Sequence, residues 1–439
     1  MRLYRYIVLI VALCMLLCAC GANDGNISDT TTAQSGVDTS ASPETESTPE
    51  LVTIIENGAT EYVLLRYQDV DAAQQNLFTQ FFKRLIKLTG CNIKYTEALE
   101  KAAIDPQAKE FLLGNTNPPE SIELRQKLTD AGGNRFGISM KGTKLAITGT
   151  SVYQMYLGLE YFFSNFVTAD GAVIMEQGFE YISDSSESNH WSMDMLLEQG
   201  KSPAFVTTDA LFAIKPSKGY SVLQGGGTDG RYAYIALINK ALTPEQGKIF
   251  KYDLETNELV KVSEPLLTAH TNDITYDSKN HRLVISRCTA DDGYRGVSFV
   301  DPDTLELIEN IEISTGFRAI DYLPTTNQYV LGVNYFFVIT DENFNTVRTF
   351  QCQDPQYTTQ GCYSDEKYIY DVRYLSQSNV HYIVVYKMDG TYVGTIPLYC
   401  TANVEPENMF AYNGGFILAC NKTNRAYTLE IVPQSYWEQ

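Results

Sequence analysis

Hydrophobic and polar positions along the chain fall into two regimes. In the first, strand-like runs alternate with helical spacing. Residues 61–67 (EYVLLRY) are β-branched and aromatic and predict a strand. From 71 to 88 the apolar residues Leu77, Phe81, Phe82, Leu85, Ile86 and Leu88 recur at helical intervals, with Asp71 near the start and Gly90 past the end. Short strands are expected at 92–95 and 110–114. A helix is expected at 119–131, led in by Pro118-Pro119. Two strands, 136–140 and 144–148, flank Lys141-Gly142-Thr143 as a hairpin. Ser151 then caps a helix running to Phe166. The order β-α-β-β-α-β-β-α predicts a small layered α/β sandwich with a mixed sheet, over 51–183.

After Phe166 the helical periodicity stops. From about 190 to 433 the chain reads as short strands separated by turn signals, an all-β fold. Residues 224–234 and 360–370 share the pattern QGxx[ST]Dx[RK]YxY, 136 residues apart. A weaker repeat centres on turns at Asp253, Asp301, Asp341 and Asp389, each between two outer strands. Units of about 40–50 residues with four strands are those of a β-propeller. Counting 232–238, 282–286, 328–333, 368–372 and 416–419 as innermost strands gives five blades. Segment 204–214 is expected to supply the outer strand of the short last unit and close the ring. Six or seven blades stay open if 186–223 forms more than that strand. Gly225-Gly226-Gly227 reads as a turn entering a blade.

The N-terminus gives an address. Arg2 and Arg5 precede an apolar run, 7–17, too short for a typical spanning helix. It ends in Leu17-Cys18-Ala19-Cys20, which resembles a bacterial lipobox. The resemblance implies a signal peptide over 1–20, lipidation of Cys20 (palmitate among the chains) and attachment to the extracytoplasmic side of the cell membrane. Residues 21–50 hold almost no large apolar side chain and are expected to be a disordered tether. No later segment offers 18 uninterrupted apolar residues.

A second resemblance lies in the α/β part. The strand and turn 111–117 (FLLGNTN), the hairpin 141–148, and Gly149-Thr150-Ser151 before an aromatic-rich helix are similar to the N-terminal α/β domain of β-hexosaminidases and α-glucuronidases. That resemblance implies an accessory domain without catalytic residues of its own. In those enzymes a TIM barrel follows; here the pattern of a barrel is missing.

Charge and composition narrow the function. The 439 residues carry a net charge of −20 and no basic tract beyond the extreme N-terminus, which argues against nucleic acid as a partner. The four His argue against a zinc site, and the six Cys after Cys20 show neither CxxC spacing nor His companions. No metal or cofactor is expected, and no bridge is assigned; the thiols suit buried free positions. A DxDxDG calcium loop, a GxSxG elbow, a P-loop and a dinucleotide GxGxxG before a helix are all missing.

In a propeller, polar residues leading into the inner strands face the central channel. Those candidates for ligand binding are Gln224, His270, Asn272, Asp273, Arg318, Gln360, Glu405 and Glu407, with Asn408 beside them. Asp229 and Asp365 sit in turns and suit bonding to backbone amides. The leading expectation is a non-enzymatic module binding a glycan. One alternative is a glycoside hydrolase using Asp273, Asp321 and Glu407 as channel carboxylates. The other is a scaffold that docks a surface protein.

Overall fold

The computed structural model describes residues 49–67, 72–98, 104–186, 188–288, 295–353, 358–374, 381–400 and 404–436. The lipobox, Cys20 and nearly all of the tether lie outside the described residues.

The α/β part opens with β1 (Leu51–Ile55), β2 (Val63–Tyr67), α1 (Ala72–Thr89), β3 (Lys94–Ala98) and β4 (Glu110–Leu113). It continues with α2 (Pro119–Ala131), β5 (Phe136–Lys141), β6 (Lys144–Gly149), α3 (Val152–Phe166), β7 (Val173–Glu176) and β8 (Glu180–Ile182). One six-stranded sheet runs β3-β2-β4-β6-β5-β8, parallel from β3 to β6 and antiparallel beyond. Its mixed character matches the sequence pattern, whereas β1 pairs with β7 apart from it. Local chemistry sets the boundaries. Gly90 and Gly132 leave α1 and α2 in the left-handed region (φ 66° and 64°). The Ser151 hydroxyl accepts from the Gln154 N–H at 3.1 Å and caps α3. Phe81 of α1, Phe111 of β4 and Phe162 of α3 form the centre, with ring centroids 5.1–5.8 Å apart.

After the short helix α4 (Met193–Glu198) the chain is β-structure. Its strands are β9 (Pro203–Ala213), β10 (Val222–Thr228), β11 (Tyr232–Asn239), β12 (Gln246–Asp253) and β13 (Glu258–Val262). Then come β14 (Asp273–Asp277), β15 (Arg282–Ser286), β16 (Val297–Val300), β17 (Leu307–Ile311), β18 (Ala319–Leu323), β19 (Gln328–Val333), β20 (Phe336–Thr340) and β21 (Thr346–Gln351). The last are β22 (Thr358–Ser364), β23 (Tyr368–Tyr374), β24 (His381–Lys387), β25 (Tyr392–Tyr399), β26 (Glu405–Tyr412), β27 (Gly415–Asn421) and β28 (Arg425–Pro433). Three sheets are four-stranded meanders, β10–β13, β14–β17 and β18–β21. The eight-stranded sheet is β22-β23-β24-β25-β9-β28-β27-β26. In it β9 pairs antiparallel with β28 and touches β25 in parallel over two residue pairs. First strands pack on first strands in the cyclic order β10, β14, β18, β22, β26 and back to β10. The fold is therefore mostly β and propeller-like.

This topology corrects one expectation. Strands 232–238, 282–286, 328–333, 368–372 and 416–419 are second strands, not innermost ones. The innermost strands precede them and include Gly225-Gly226-Gly227, which lie within β10 rather than in a turn. The reason is crowding at the axis. A Cβ on Gly227 would stand 2.3 Å from the Ile274 carbonyl oxygen, and one on Gly361 would stand 2.6 Å from Asn408 Nδ2. Strands that approach this closely are rich in glycine and polar residues and do not show the apolar alternation of a strand.

The outer turns follow their sequence signal. The Oδ1 atoms of Asp253, Asp301, Asp341 and Asp389 accept backbone N–H groups two residues on, at 2.8–2.9 Å. The α/β part and the ring share one apolar core, in which α1 packs on β9 and Ala204, Phe205 and Val206 join the cluster around Phe81. Of the cysteines after Cys20, Cys91, Cys352, Cys362 and Cys420 are buried free thiols and Cys400 is a half-buried one. Among the described residues no helix is long and apolar enough to cross a membrane.

Candidate functional site

The QGxx[ST]Dx[RK]YxY repeat builds the turn joining a first strand to its second. Asp229 Oδ1 accepts the N–H groups of Arg231 and Tyr232 (2.9 and 2.7 Å), and Oδ2 accepts the Tyr234 hydroxyl at 2.7 Å. Asp365 repeats this with Lys367, Tyr368 and the Tyr370 hydroxyl, at 2.9, 2.6 and 2.9 Å. The Thr228 and Ser364 hydroxyls close the same loop by donating to the carbonyls of Tyr232 and Tyr368, each at 2.9 Å. The repeat is thus a rigid turn, and it explains both the Asp and the second Tyr of the pattern.

The axis of the ring is filled by polar side chains. Asp273 is fully buried. Its Oδ2 accepts the N–H of Ile320 on β18 (2.8 Å) and of Cys362 on β22 (3.1 Å). Its Oδ1 accepts its neighbour Ile274 N–H (2.8 Å) and the Asn408 amide from β26. One carboxylate therefore ties β14 to three other first strands. Burial pushes its pKa well above the usual carboxylate range, against the pull of the backbone donors. Asn272 donates to the carbonyls of Arg318 and Gln360 across the same axis. The Gln224 amide donates to its neighbour Leu223 carbonyl at 2.9 Å. Glu405 accepts from the Asn421 amide at 3.1 Å. Glu407 is buried beside it and pushed up by that burial, and its Oε1 has no partner among the described residues.

Asp321 differs from these. Its carboxylate accepts from the Thr275 hydroxyl (2.7 Å) and the Ser364 N–H (2.6 Å), and burial pushes its pKa up to about 7. It also lines an open cavity of about 570 Å³ on the face carrying the Asp229 and Asp365 turns. Aromatic rings dominate the walls: Trp191, Tyr276, Tyr322, Tyr363, Tyr412 and Phe416. Tyr363, Tyr370 and Phe416 form one packed wall with centroids 5.5–6.0 Å apart. Trp191 is held from behind by Tyr153 and Tyr156 of α3, at 5.1 and 5.2 Å. Asp194 of α4 completes the rim and binds Lys367 and the Tyr368 hydroxyl.

His270 and Arg318 lie in loops leading into first strands, at the opposite end of the ring from the turns. His270 Nδ1 meets Glu245 Oε2 at 2.5 Å, and burial lowers its pKa despite that carboxylate. Arg318 lines a cavity of about 290 Å³ with Arg295, Phe317 and Asn334. The candidates read from sequence therefore split three ways. Asn272, Asp273, Gln224, Gln360, Glu405 and Glu407 take part in the buried or half-buried packing of the axis, His270 and Arg318 belong to the far mouth, and Asp321 reaches the large cavity. The three channel carboxylates do not face one open space together.

Sequence reasoning missed the cavity's aromatic residues. A signal existed in the register. Tyr276, Tyr322 and Tyr363 pair with Leu283, Tyr329 and Tyr370 at equivalent ladder positions, one residue before each first strand ends. Gly227 and Ala411 hold that position in the other two first strands.

No family model matches the chain, and no curated protein matches it. Solved structures similar to it include hydrazine synthase of Kuenenia stuttgartiensis, at 12% identity over 50% of this chain with a TM-score of 0.32. The match spans 65% of the hydrazine synthase chain. A Bacteroides caccae protein of unknown function is similar at 14% identity, over 44% of this chain and 74% of its own, with a TM-score of 0.31. The WD40 domain of Neurospora crassa Pan2 is similar at 6% identity, over 48% and 88%, with a TM-score of 0.31.

Proposed function

We propose that this protein is a surface lipoprotein that binds an extracellular glycan in the aromatic cavity on the turn face of a five-bladed propeller. Cys20 is the lipidated residue in this reading, and 21–50 is the tether on the extracytoplasmic side of the cell membrane. The α/β part serves as a hexosaminidase-N-terminal-like accessory domain.

The observation that carries the binding reading is the cavity itself. A space of about 570 Å³ walled by tyrosines and rimmed by carboxylates offers what a sugar needs. Flat rings take the C–H faces of a pyranose, and fixed oxygens accept its hydroxyls. The turn geometry holds Asp229 and Asp365 in place before any ligand arrives, so little ordering is required on binding.

A hydrolase is the second reading, favoured by Asp321 with its pKa near 7 at the cavity floor. Glycoside hydrolysis needs a second carboxylate across the scissile bond. Asp229 and Asp365 are engaged in bracing their turns, so binding without turnover is the better reading.

The test is a glycan array with reducing-end product detection on the same samples, for the wild type and Tyr363→Ala. Specific binding without product, weakened in the variant, supports the proposal. Binding unaffected by Tyr363→Ala, or no glycan bound, overturns it. Product that disappears in Asp321→Asn puts the hydrolase first. Palmitate labelling lost in Cys20→Ser tests the anchor.

A further inference from the structure

We propose that the aromatic cavity selects a sugar bearing an ammonium group; this rests on the glycan reading above and narrows it to a charge class. Among the described residues, none of the side chains lining the cavity is Lys, Arg or His, although four carboxylates line it: Asp194, Asp229, Asp321 and Asp365. Nearby cations on the same face are held in ion pairs, one of which neutralises the lining carboxylate Asp194. Arg231 pairs with Asp253 and Glu255, Lys279 pairs with Glu342, and Lys367 pairs with Asp194.

Asp229 and Asp365 receive only neutral donors, backbone N–H groups and hydroxyls, and no ion pair with a described cation; Asp321, pushed up to about 7, is mostly protonated at pH 6 and adds little charge there. Hydrogen bonds of this kind fix a carboxylate without cancelling its charge. The tyrosines register the resulting field. The Tyr363 hydroxyl is pushed up by burial and then by Asp321, Asp365 and Glu366, and Tyr276 by burial and then by Asp229, Asp303 and Asp277.

Aromatic faces reinforce the same sign. A ring presents its negative quadrupole to whatever stacks on it, and a cation over Tyr or Trp gains where a neutral group does not. The partly exposed rings of Tyr363 and Phe416 belong to this wall and are backed by the buried Tyr370. Carboxylates with no lining cation, set among aromatic rings, form the arrangement that favours an ammonium group over a neutral or acidic substituent. At the far mouth of the ring the smaller cavity is lined by Arg295 and Arg318 and by no carboxylate among the described residues. The preference is therefore a property of one face and not of the chain's net acidity.

The experiment is calorimetric titration of the full-length chain in detergent, at pH 6, with the trimers of glucosamine and N-acetylglucosamine and with tetramethylammonium. An amine with a pKa near that of an α-amino group, about 7.7–8, is charged there. The expected result is at least tenfold tighter binding of the glucosamine trimer, with most of that advantage lost at high salt. Ser278→Lys places a cation at an exposed position on the cavity wall and is expected to abolish the preference without touching the core. Equal affinity for the two trimers, or a preference that survives Ser278→Lys, overturns this inference and leaves the glycan reading standing. Binding of tetramethylammonium with neither trimer overturns the glycan reading while the charge preference stands. No binding of any probe overturns both.

Discussion

Replacing Asp273 separates a structural carboxylate from a catalytic one. Its two oxygens accept three backbone N–H groups, from Ile274, Ile320 and Cys362, and the Asn408 amide. Asp273→Ala leaves those three N–H groups buried without an acceptor, at about 1–3 kcal/mol each. Removing a buried carboxylate recovers part of that sum, because burial disfavours its charge. The net loss is about 4 kcal/mol, a large share of the roughly 5–15 kcal/mol by which a domain is stable. Asp273→Asn is milder for a specific reason. Asn408 Oδ1 has no partner among the described residues, so a flip of that amide lets the new Asn donate to it while its own oxygen keeps Ile320 and Cys362. Only the Ile274 N–H is then lost, about 1–2 kcal/mol. Urea unfolding followed by circular dichroism measures both. Equal costs for Ala and Asn, or both within about 1 kcal/mol of wild type, would refute the role of Asp273 as the tie between first strands.

Asp321 sets a pH dependence. Its folded pKa of about 7 lies above the unfolded value, so its contribution to stability is present below about pH 4 and is lost as pH rises to 7. The full loss is up to about 4 kcal/mol, and unfolding midpoints of wild type and Asp321→Asn should diverge across that window; parallel profiles refute it. Gly227→Ala should cost about 1–3 kcal/mol, because its Cβ meets the Ile274 carbonyl oxygen at 2.3 Å, and an unchanged melting temperature would contradict the close approach. Tyr363→Ala should weaken glycan binding about tenfold, about 1.4 kcal/mol, and also lower the melting temperature, since this half-buried ring packs on Tyr370 and Phe416, whereas Tyr363→Phe should keep both.

The sequence made the outer shell of the ring legible and hid its centre. Asp253, Asp301, Asp341 and Asp389 are visible because a short acidic side chain that caps a turn acts through its immediate neighbours. Second strands such as Tyr232–Asn239 are visible because both faces are buried and the run is apolar. First strands obey a different constraint. They converge on the axis, where Gly225, Gly227 and Gly361 are set by the space left by β14 and β26. A run such as Val222–Thr228 then carries neither strand periodicity nor apolar bulk. The polar residues there suit ligand groups equally well, because a buried Asp or Asn must bond to something, and local sequence does not say whether the partner is a ligand or a strand 47 or 89 residues away. The cavity tyrosines were hidden for the opposite reason. Tyr234, Tyr329 and Tyr370 of the second strands are fully buried, so Tyr in this chain signals packing before it signals a site.

The filled axis decides where a ligand can act. With Asp273, Asn272 and Asn408 bonded across it, a chain cannot thread the ring, and recognition has to occur on one face. On the turn face the wall is made jointly. β22, β23 and β27 supply Tyr363, Tyr370 and Phe416, while the segment leaving the α/β part supplies Trp191 and Asp194. Trp191 rests on Tyr153 and Tyr156, and the Lys201 amine donates to the Tyr156 hydroxyl at 2.8 Å. The α/β part thus buttresses one side of the cavity through α3. Its contribution to binding is positional, which accounts for a shared core in place of a free linker between the two parts. An aromatic wall assembled from two parts is held rigidly only while both are folded, so loosening α3 against Trp191 should reduce affinity without altering any residue that a ligand touches.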